Sequence, residues 1–227
     1  MKKISCIIPA YNEGKRIESV LKAVYKHPLI DEVIVVDDGS TDNTQKLVKK
    51  FKGIKLIVNE KNRGKSFSIV NGITNSKNDL LMFIDSDLKG LKKEDITKLI
   101  EPVQKGEADV SISLRKNSLK IYKMIGLDFI SGERVFPKNL IIDQLEKILK
   151  LPGFGLEVFL NKLIIKHSLR IKVVYWKNVI SPRKSKKVGL IKGWEGDLLM
   201  FKDMMKTISL KCLIDQNLKM LKLMVKD

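Results

Sequence analysis

"LLMFIDSDLKG" (residues 80–90) runs a nearly continuous apolar stretch into two aspartates, Asp85 and Asp87, separated by one serine. Such a run is the pattern of a strand covered on both faces. Alternate residues of a strand share a face, so extended geometry carried through Ser86 brings both carboxylates to one spot. Like charges that close repel, and a cation or a proton relieves them. A solvated turn is the competing reading, because aspartate is common where strands end.

Working outward, further β-branched runs at 2–9, 32–38, 55–60 and 108–114 read as strands, with 79–85 among them. Helical spacing lies between them. Ile17, Val20, Leu21 and Val24 form one stripe; helices are also expected at 41–51, at 65–73 and from Lys92 to a stop at Gly106, carrying Ile96, Leu99, Ile100 and Val103. Alternating strands and helices argue for an α/β fold, a mainly parallel sheet with helices on both faces. Ligands in such sheets sit beyond the carboxyl ends of the strands. Pro9 to Glu13, Asp37 to Asp42 and Asp85 to Asp87 cluster there. The second half is less regular: a strand crossing a Gly turn at 128–137, a helix at 154–168 and a strand at 170–176. From Leu190 a long amphipathic helical pattern carries Trp194, Leu198, Phe201, Met205, Ile208 and Cys212, then Ile214, Leu218, Leu221 and Val225 on a shifted stripe. The expected organisation is 1–189 as one domain, with halves 1–115 and 116–189, and 190–227 as a C-terminal helical segment.

Three loops carry candidate chemistry. In "PAYNEG", Tyr11 can lie against a base and Glu13 can bond a ribose, or Asn12 can simply cap a helix. In "VVDDGSTDNT", Asp38 is the residue expected to face a nucleobase, while Ser40 or Thr41 can cap the next helix. In "NRGK", Arg63, Gly64 and Lys65 open a helix whose free N–H groups and positive side chains favour a phosphate.

Taken together, PAYNEG, VVDDGSTDNT, NRGK and FIDSD resemble the nucleotide-binding half of family 2 glycosyltransferases with the GT-A fold. The resemblance covers about residues 3–115 and implies a nucleotide-diphosphate-sugar donor. It implies Pro9, Ala10, Tyr11, Glu13, Asp38 and Ser40 around the nucleotide, and Lys65 near the diphosphate. Asp85-Ser86-Asp87 would be the D-x-D element, whose aspartates bind Mg²⁺ or Mn²⁺; such hard cations suit oxygen ligands. Two positions depart from the pattern: Ser66 and the bulky Phe67 follow the Gly-Lys pair. "SGERVFPKN" and "PGFGLEVFL" are similar to acceptor-side motifs of polyprenyl-phosphate glycosyltransferases and glucosyl-3-phosphoglycerate synthases. That similarity implies that Gly132, Glu133 and Arg134 contact sugar or acceptor, and that Glu157 is the catalytic carboxylate. A phosphate acceptor needs no base, and Glu157 would then position the sugar. Relatives often carry a histidine as an extra metal ligand where Ser181 stands here, and His167 reads as a helix-end residue.

The chain of 227 residues has a formal net charge of +18. Residues 1–110 hold 20 Lys/Arg against 16 Asp/Glu, whereas 111–227 hold 24 against 10. Val158 to Trp194 contains no acid, and Arg183, Lys184, Lys186 and Lys187 form its densest block. Such charge seeks a phosphorylated or lipid-linked acceptor, an anionic membrane surface or a polyanion. Nucleic acid fits poorly, because acidic strand ends repel phosphates and aromatics are scarce. A sugar nucleotidyltransferase would open with a Gly-rich, Arg-containing loop, and PAYNEGKRI has a single Gly. No stretch is long enough to span a bilayer, and Cys6 and Cys212 read as core thiols in a reducing cytoplasm, so any membrane attachment is expected to be peripheral.

Overall fold

A computed structural model describes residues 2–151, 155–182 and 210–225. Among the described residues seven strands form one sheet: β1 (Ile4–Ala10), β2 (Glu32–Asp37), β3 (Lys55–Val58), β4 (Leu80–Phe83), β5 (Val110–Arg115), β6 (Arg134–Pro137) and β7 (Ile171–Trp176). Their order is β3-β2-β1-β4-β6-β5-β7. Only β6 runs antiparallel, to β4 on one side and β5 on the other. The remaining pairings are parallel.

Eight α-helices are described: α1 (Ile17–Val24), α2 (Thr44–Val48), α3 (Lys65–Thr74), α4 (Lys93–Gln104), α5 (Lys120–Ile125), α6 (Leu145–Leu149), α7 (Gly155–Lys166) and α8 (Leu210–Lys222). Strand alternation divides the core between the two faces of the sheet. Ile4, Cys6, Ile8, Leu80 and Met82 pack with the stripes of α1 and α4. Ile7, Leu81, Phe83, Val110 and Ile112 pack with α3, α5, α7 and α8. The predicted stripe of α1 is fully buried, as are Ile96, Leu99 and Ile100 of α4. α4 gives way to Gly106 at φ +73°, a conformation that glycine adopts without strain.

Several expectations need correction. β4 stops at Phe83 and the chain turns at Ser86 and Asp87, so the aspartates are offered from a turn, not from extended chain. The strand expected over 128–137 is confined to Arg134–Pro137. Asn12 does not cap α1: at φ +53° its Oδ1 accepts the Thr41 N–H at 2.9 Å, tying two loops together. α2 begins only at Thr44, beyond both proposed caps.

The C-terminal pattern divides. Residues 190–209, with Trp194 to Ile208 of the stripe, lie outside the described residues, as does the basic block Arg183 to Lys187. α8 does not stand apart: Leu213 and Met220 enter the second core, and Gln216 donates to the Val158 carbonyl at 3.1 Å. Ile214 and Leu218 of the expected stripe are exposed. So is Cys212, whereas Cys6 is buried as expected. Beyond α8 the chain pairs with β7 through Ile171. No described helix is long and apolar enough to cross a membrane.

Candidate active site

Two loops meet where β1 and β2 end. The Asn12 N–H donates to Ser40 Oγ at 2.9 Å, the Glu13 N–H to Thr44 Oγ1 at 2.9 Å, and the Gly14 N–H to Asp42 at 3.0 Å. Each bond satisfies a backbone donor that a tight loop would otherwise leave bare. The Glu13 carboxylate is buried against the Arg16 guanidinium. Pro9 is half-buried and Ala10 buried at the end of β1, while Tyr11 stands 45% exposed beyond them.

Asp38 lies deeper. Its carboxylate accepts from Asn59 Nδ2 at 2.8 Å, from the Gly64 N–H at 2.7 Å and from the Arg63 N–H at 3.1 Å. Only 3% exposed, Asp38 is turned onto the loop before α3, where it fixes the start of that helix. Asp37, fully buried, accepts from Ser40 N–H and Gln45. Phe67, where the sequence departs from the family pattern, carries the Arg63 guanidinium 3.6 Å from its ring centroid. Such stacking holds Arg63 beside the helix start.

With α3 anchored this way, Lys65 reaches across the sheet end. Its Nζ lies 2.8 Å from Asp85 Oδ1 and 2.9 Å from Glu157 Oε1. Burial alone would lower the ammonium, but the two carboxylates together hold it above the ordinary lysine range. Glu157, on the first turn of α7, is 3% exposed, and its Oε2 finds no hydrogen-bond partner among the described residues. A buried, unsatisfied carboxylate oxygen is costly unless something else binds there. Ser86 is buried between the aspartates. Asp87 Oδ1 accepts from Ser181 Oγ at 3.5 Å. Pairing of Lys89 with Ile180 brings that serine across, and Asn117 holds it by two bonds to its backbone. Thus Ser181 does stand beside the second aspartate; His167 is exposed at the end of α7.

Gly132, Glu133 and Arg134 separate. Gly132 faces the site: a Cβ there would meet both Asp85 oxygens and Lys65 Nζ at 2.9 Å. Glu133 and Arg134 are buried, at 0% and 1% exposure, with their polar groups engaged inside the protein. Glu133 accepts from Ser113 and Ser131 at 2.7 Å and from Arg115 at 3.0 Å. Burial raises its carboxyl above the usual range, against the pull of Arg115. Arg134 donates to the Ser131 and Phe129 carbonyls and to Asn161 Oδ1, all within 2.7 Å. Burial draws that guanidinium down to about 10 despite Glu157, Asp128 and Glu133 nearby. These two residues brace the loop that presents Gly132.

Arg115 is a site residue that the sequence reading passed over. It ends β5, pairs with buried Glu133 at 3.0 Å and Asp128 at 3.6 Å, and feels the charges of Asp85 and Asp87. Desolvation opposes its charge, yet these carboxylates hold it above its ordinary value. A basic residue at the carboxyl end of a strand was the signal available.

A hard divalent cation fits this donor set. Asp85 and Asp87 offer carboxylate oxygens and Ser181 a hydroxyl, and Gly132, with no side chain, lets its backbone lie close against Asp85. Such ions bind through one or two carboxylates plus substrate phosphates and water. Among the described residues no group of three or more His, Cys, Asp or Glu converges, so a sphere built here draws on other ligands.

Comparison with known proteins bears on this geometry. Residues 5–150 match the family model described as Glycosyl transferase family 2. An uncharacterised protein of Methanocaldococcus jannaschii is 38% identical over 135 residues, 55% of this chain and 58% of that protein. Dodecaprenyl-phosphate galacturonate synthase of Rhizobium johnstonii is 30% identical over 124 residues, covering 51% of this chain and 36% of its own. 4,4'-Diaponeurosporenoate glycosyltransferase of Staphylococcus aureus is 33% identical over 107 residues, 45% of this chain and 28% of that protein. The chain thus spans less than two thirds of each of these relatives. Glucosyl-3-phosphoglycerate synthase of Mycobacterium tuberculosis, solved with Mn²⁺, UDP and glucosyl-3-phosphoglycerate, superposes at a TM-score of 0.72. That match is 23% identical and covers 91% of this chain and 80% of the other. It establishes a shared fold.

Proposed function

The chain belongs to glycosyl transferase family 2, and from that premise we propose that it moves a sugar from a nucleotide-diphosphate donor to an acceptor bearing a phosphate, free or lipid-linked. One observation carries the reading: Lys65 joins Asp85 and Glu157 at the carboxyl ends of the parallel strands, with Asp87 on the adjoining turn. Pro9, Ala10, Tyr11, Glu13 and Ser40 surround the place of base and ribose, and Asp38 sets the helix start that meets the phosphates. Lys65 orients the diphosphate between the two halves of the site.

Asp85 and Asp87, with the Ser181 hydroxyl, would hold Mg²⁺ or Mn²⁺, which as a Lewis acid offsets charge on the departing diphosphate. The Mn²⁺ and UDP of the mycobacterial enzyme support that assignment. Glu157 supplies a carboxylate to the acceptor side. Toward a hydroxyl it takes the proton, as general base; toward an ionised phosphate it orients the sugar instead. The lipid-linked form of the acceptor is supported by the relative named a dodecaprenyl-phosphate synthase.

Asp87→Ala tests the core of the proposal. It should abolish Mn²⁺-dependent binding of nucleoside diphosphates and donor hydrolysis, with an unchanged circular dichroism spectrum, since the residue lies on a turn outside the core. Near-normal turnover by the variant in EDTA would sink the metal role. A screen of nucleotide sugars for metal-dependent hydrolysis identifies the donor.

A further inference from the structure

The connection from β5 to β6 carries features that the reaction centre does not use. In α5 the buried side chain is Tyr122, whose ring packs 4.5 Å from that of Phe129. With Tyr122 turned inward, its neighbours face water: Leu119 is 45% exposed, Ile121 54% and Met124 83%. Lys116, Lys120 and Lys123 are exposed among them. From Arg115 to Leu127 there is no acidic residue. Large apolar side chains interspersed with cations gain from leaving water where the adjoining surface is negative.

Location adds to chemistry. The strand before α5 ends in Arg115, and the loop after it delivers Gly132 to Asp85. The patch therefore sits on the connection that builds the acceptor side.

We propose that Leu119 and α5 form an interfacial anchor that seats the protein on an anionic lipid surface beside the acceptor entrance. The proposal deepens the lipid-linked reading of the acceptor and rests on it. Two features favour lipid over a protein partner. Protein hot spots are enriched in aromatic and arginine side chains that fill pockets; here the only aromatic of the helix is turned inward. What remains outward is Leu, Ile, Met and Lys, the composition of a shallow interfacial helix.

Co-sedimentation of the full chain with vesicles, of phosphatidylglycerol mixed with phosphatidylcholine or of phosphatidylcholine alone, tests the anchor. The intact protein should partition onto the anionic vesicles and release in high salt. Leu119→Gln, Ile121→Gln and Met124→Gln combined should reduce partitioning at least tenfold, and Lys116→Gln, Lys120→Gln and Lys123→Gln combined should do so at low salt. Donor hydrolysis without acceptor should stay unchanged in both. Equal partitioning of the intact and apolar-substituted proteins, including none by either, would overturn the anchor. A dimer in sedimentation velocity that the apolar substitutions split, with no vesicle binding, would make α5 a self-association face and overturn it equally. Vesicle binding that responds as expected, with no hydrolysis of any nucleotide sugar, would count against glycosyl transfer and leave the anchor standing.

Discussion

Lys65 Nζ lies 2.9 Å from Glu157 Oε1, joining the donor half of the chain to the acceptor half across 92 positions of sequence. The same ammonium holds Asp85, so one cation sets the spacing of two carboxylates. Glu157 is nearly inaccessible while Lys65 and Asp85 are partly open, at 29% and 27% side-chain exposure.

Lys65→Met should therefore destabilise by about 2 kcal/mol, between an exposed pair and a fully buried one. Turnover should fall by roughly two orders of magnitude, because charge at the departing phosphates is left unsupported. Chemical denaturation and steady-state kinetics check both. Unchanged stability and turnover within twofold would make the bridge incidental.

Glu157→Gln keeps size and hydrogen bonding but removes the charge. If Glu157 takes a proton from an acceptor hydroxyl, kcat should drop by roughly two or more orders of magnitude with little change in donor KM. A rise confined to donor KM would instead assign it to sugar positioning.

Gly132→Ala probes the space beside the first aspartate. The new methyl would lie 2.9 Å from both Asp85 oxygens and from Lys65 Nζ. The flexible lysine end can yield, but the short aspartate side chain has less freedom. Activity should fall at least about tenfold while stability drops by about 1–3 kcal/mol. A fully active Ala variant would show that the close approach has no catalytic consequence.

His27 predicts an acid limit on stability away from the site. It is 3% exposed, its Nδ1 accepts the Leu29 N–H at 3.2 Å, and Nε2 lies 3.1 Å from the Lys93 carbonyl. Burial holds the imidazolium below its ordinary 6.5. The unfolded chain thus takes up a proton first. This contribution is complete above pH 6.5 and is lost as the pH falls from there through the folded-state value. Thermal melts between about pH 5 and 7 should show a smaller slope in His27→Gln than in the parent. Identical slopes would exclude His27 as the source.

Much of this was legible in sequence because the parallel strands are covered on both faces. β1, β2 and β5 announce themselves as β-branched runs and β4 as a continuous apolar one, and the ends of β1, β2 and β4 fix the places of Tyr11, Asp38 and Asp85. What stayed hidden depends on pairing across the chain. Glu133 and Arg134 read as groups facing sugar or acceptor, and nothing local reveals that Ser113, Arg115 and Asn161 converge on them. The approach of Ser181 to Asp87 rests on a single bridge between Lys89 and Ile180. In α8 the spacing of Ile214 and Leu218 suggested the buried face, yet Gln216 is buried because it can bond the Val158 carbonyl. α5 has a glycine stop at Gly126 but no capping side chain and no long stripe in sequence, since one inward tyrosine is enough to fasten it.

The reversed direction of β6 has a bearing on inheritance. Phe83, the last residue of β4, stands opposite Arg134, the first of β6. The segment 116–133 consequently leaves the sheet and rejoins it at the same end, like a handle on a drawer. Changes confined to the outward residues of that handle, Leu119, Lys120, Ile121, Lys123 and Met124, shift no strand register, and residues 4–115 would keep their donor-side arrangement. On the proposed function, acceptor preference is then a trait that descendants of this chain can exchange through that outward face, on an unaltered frame.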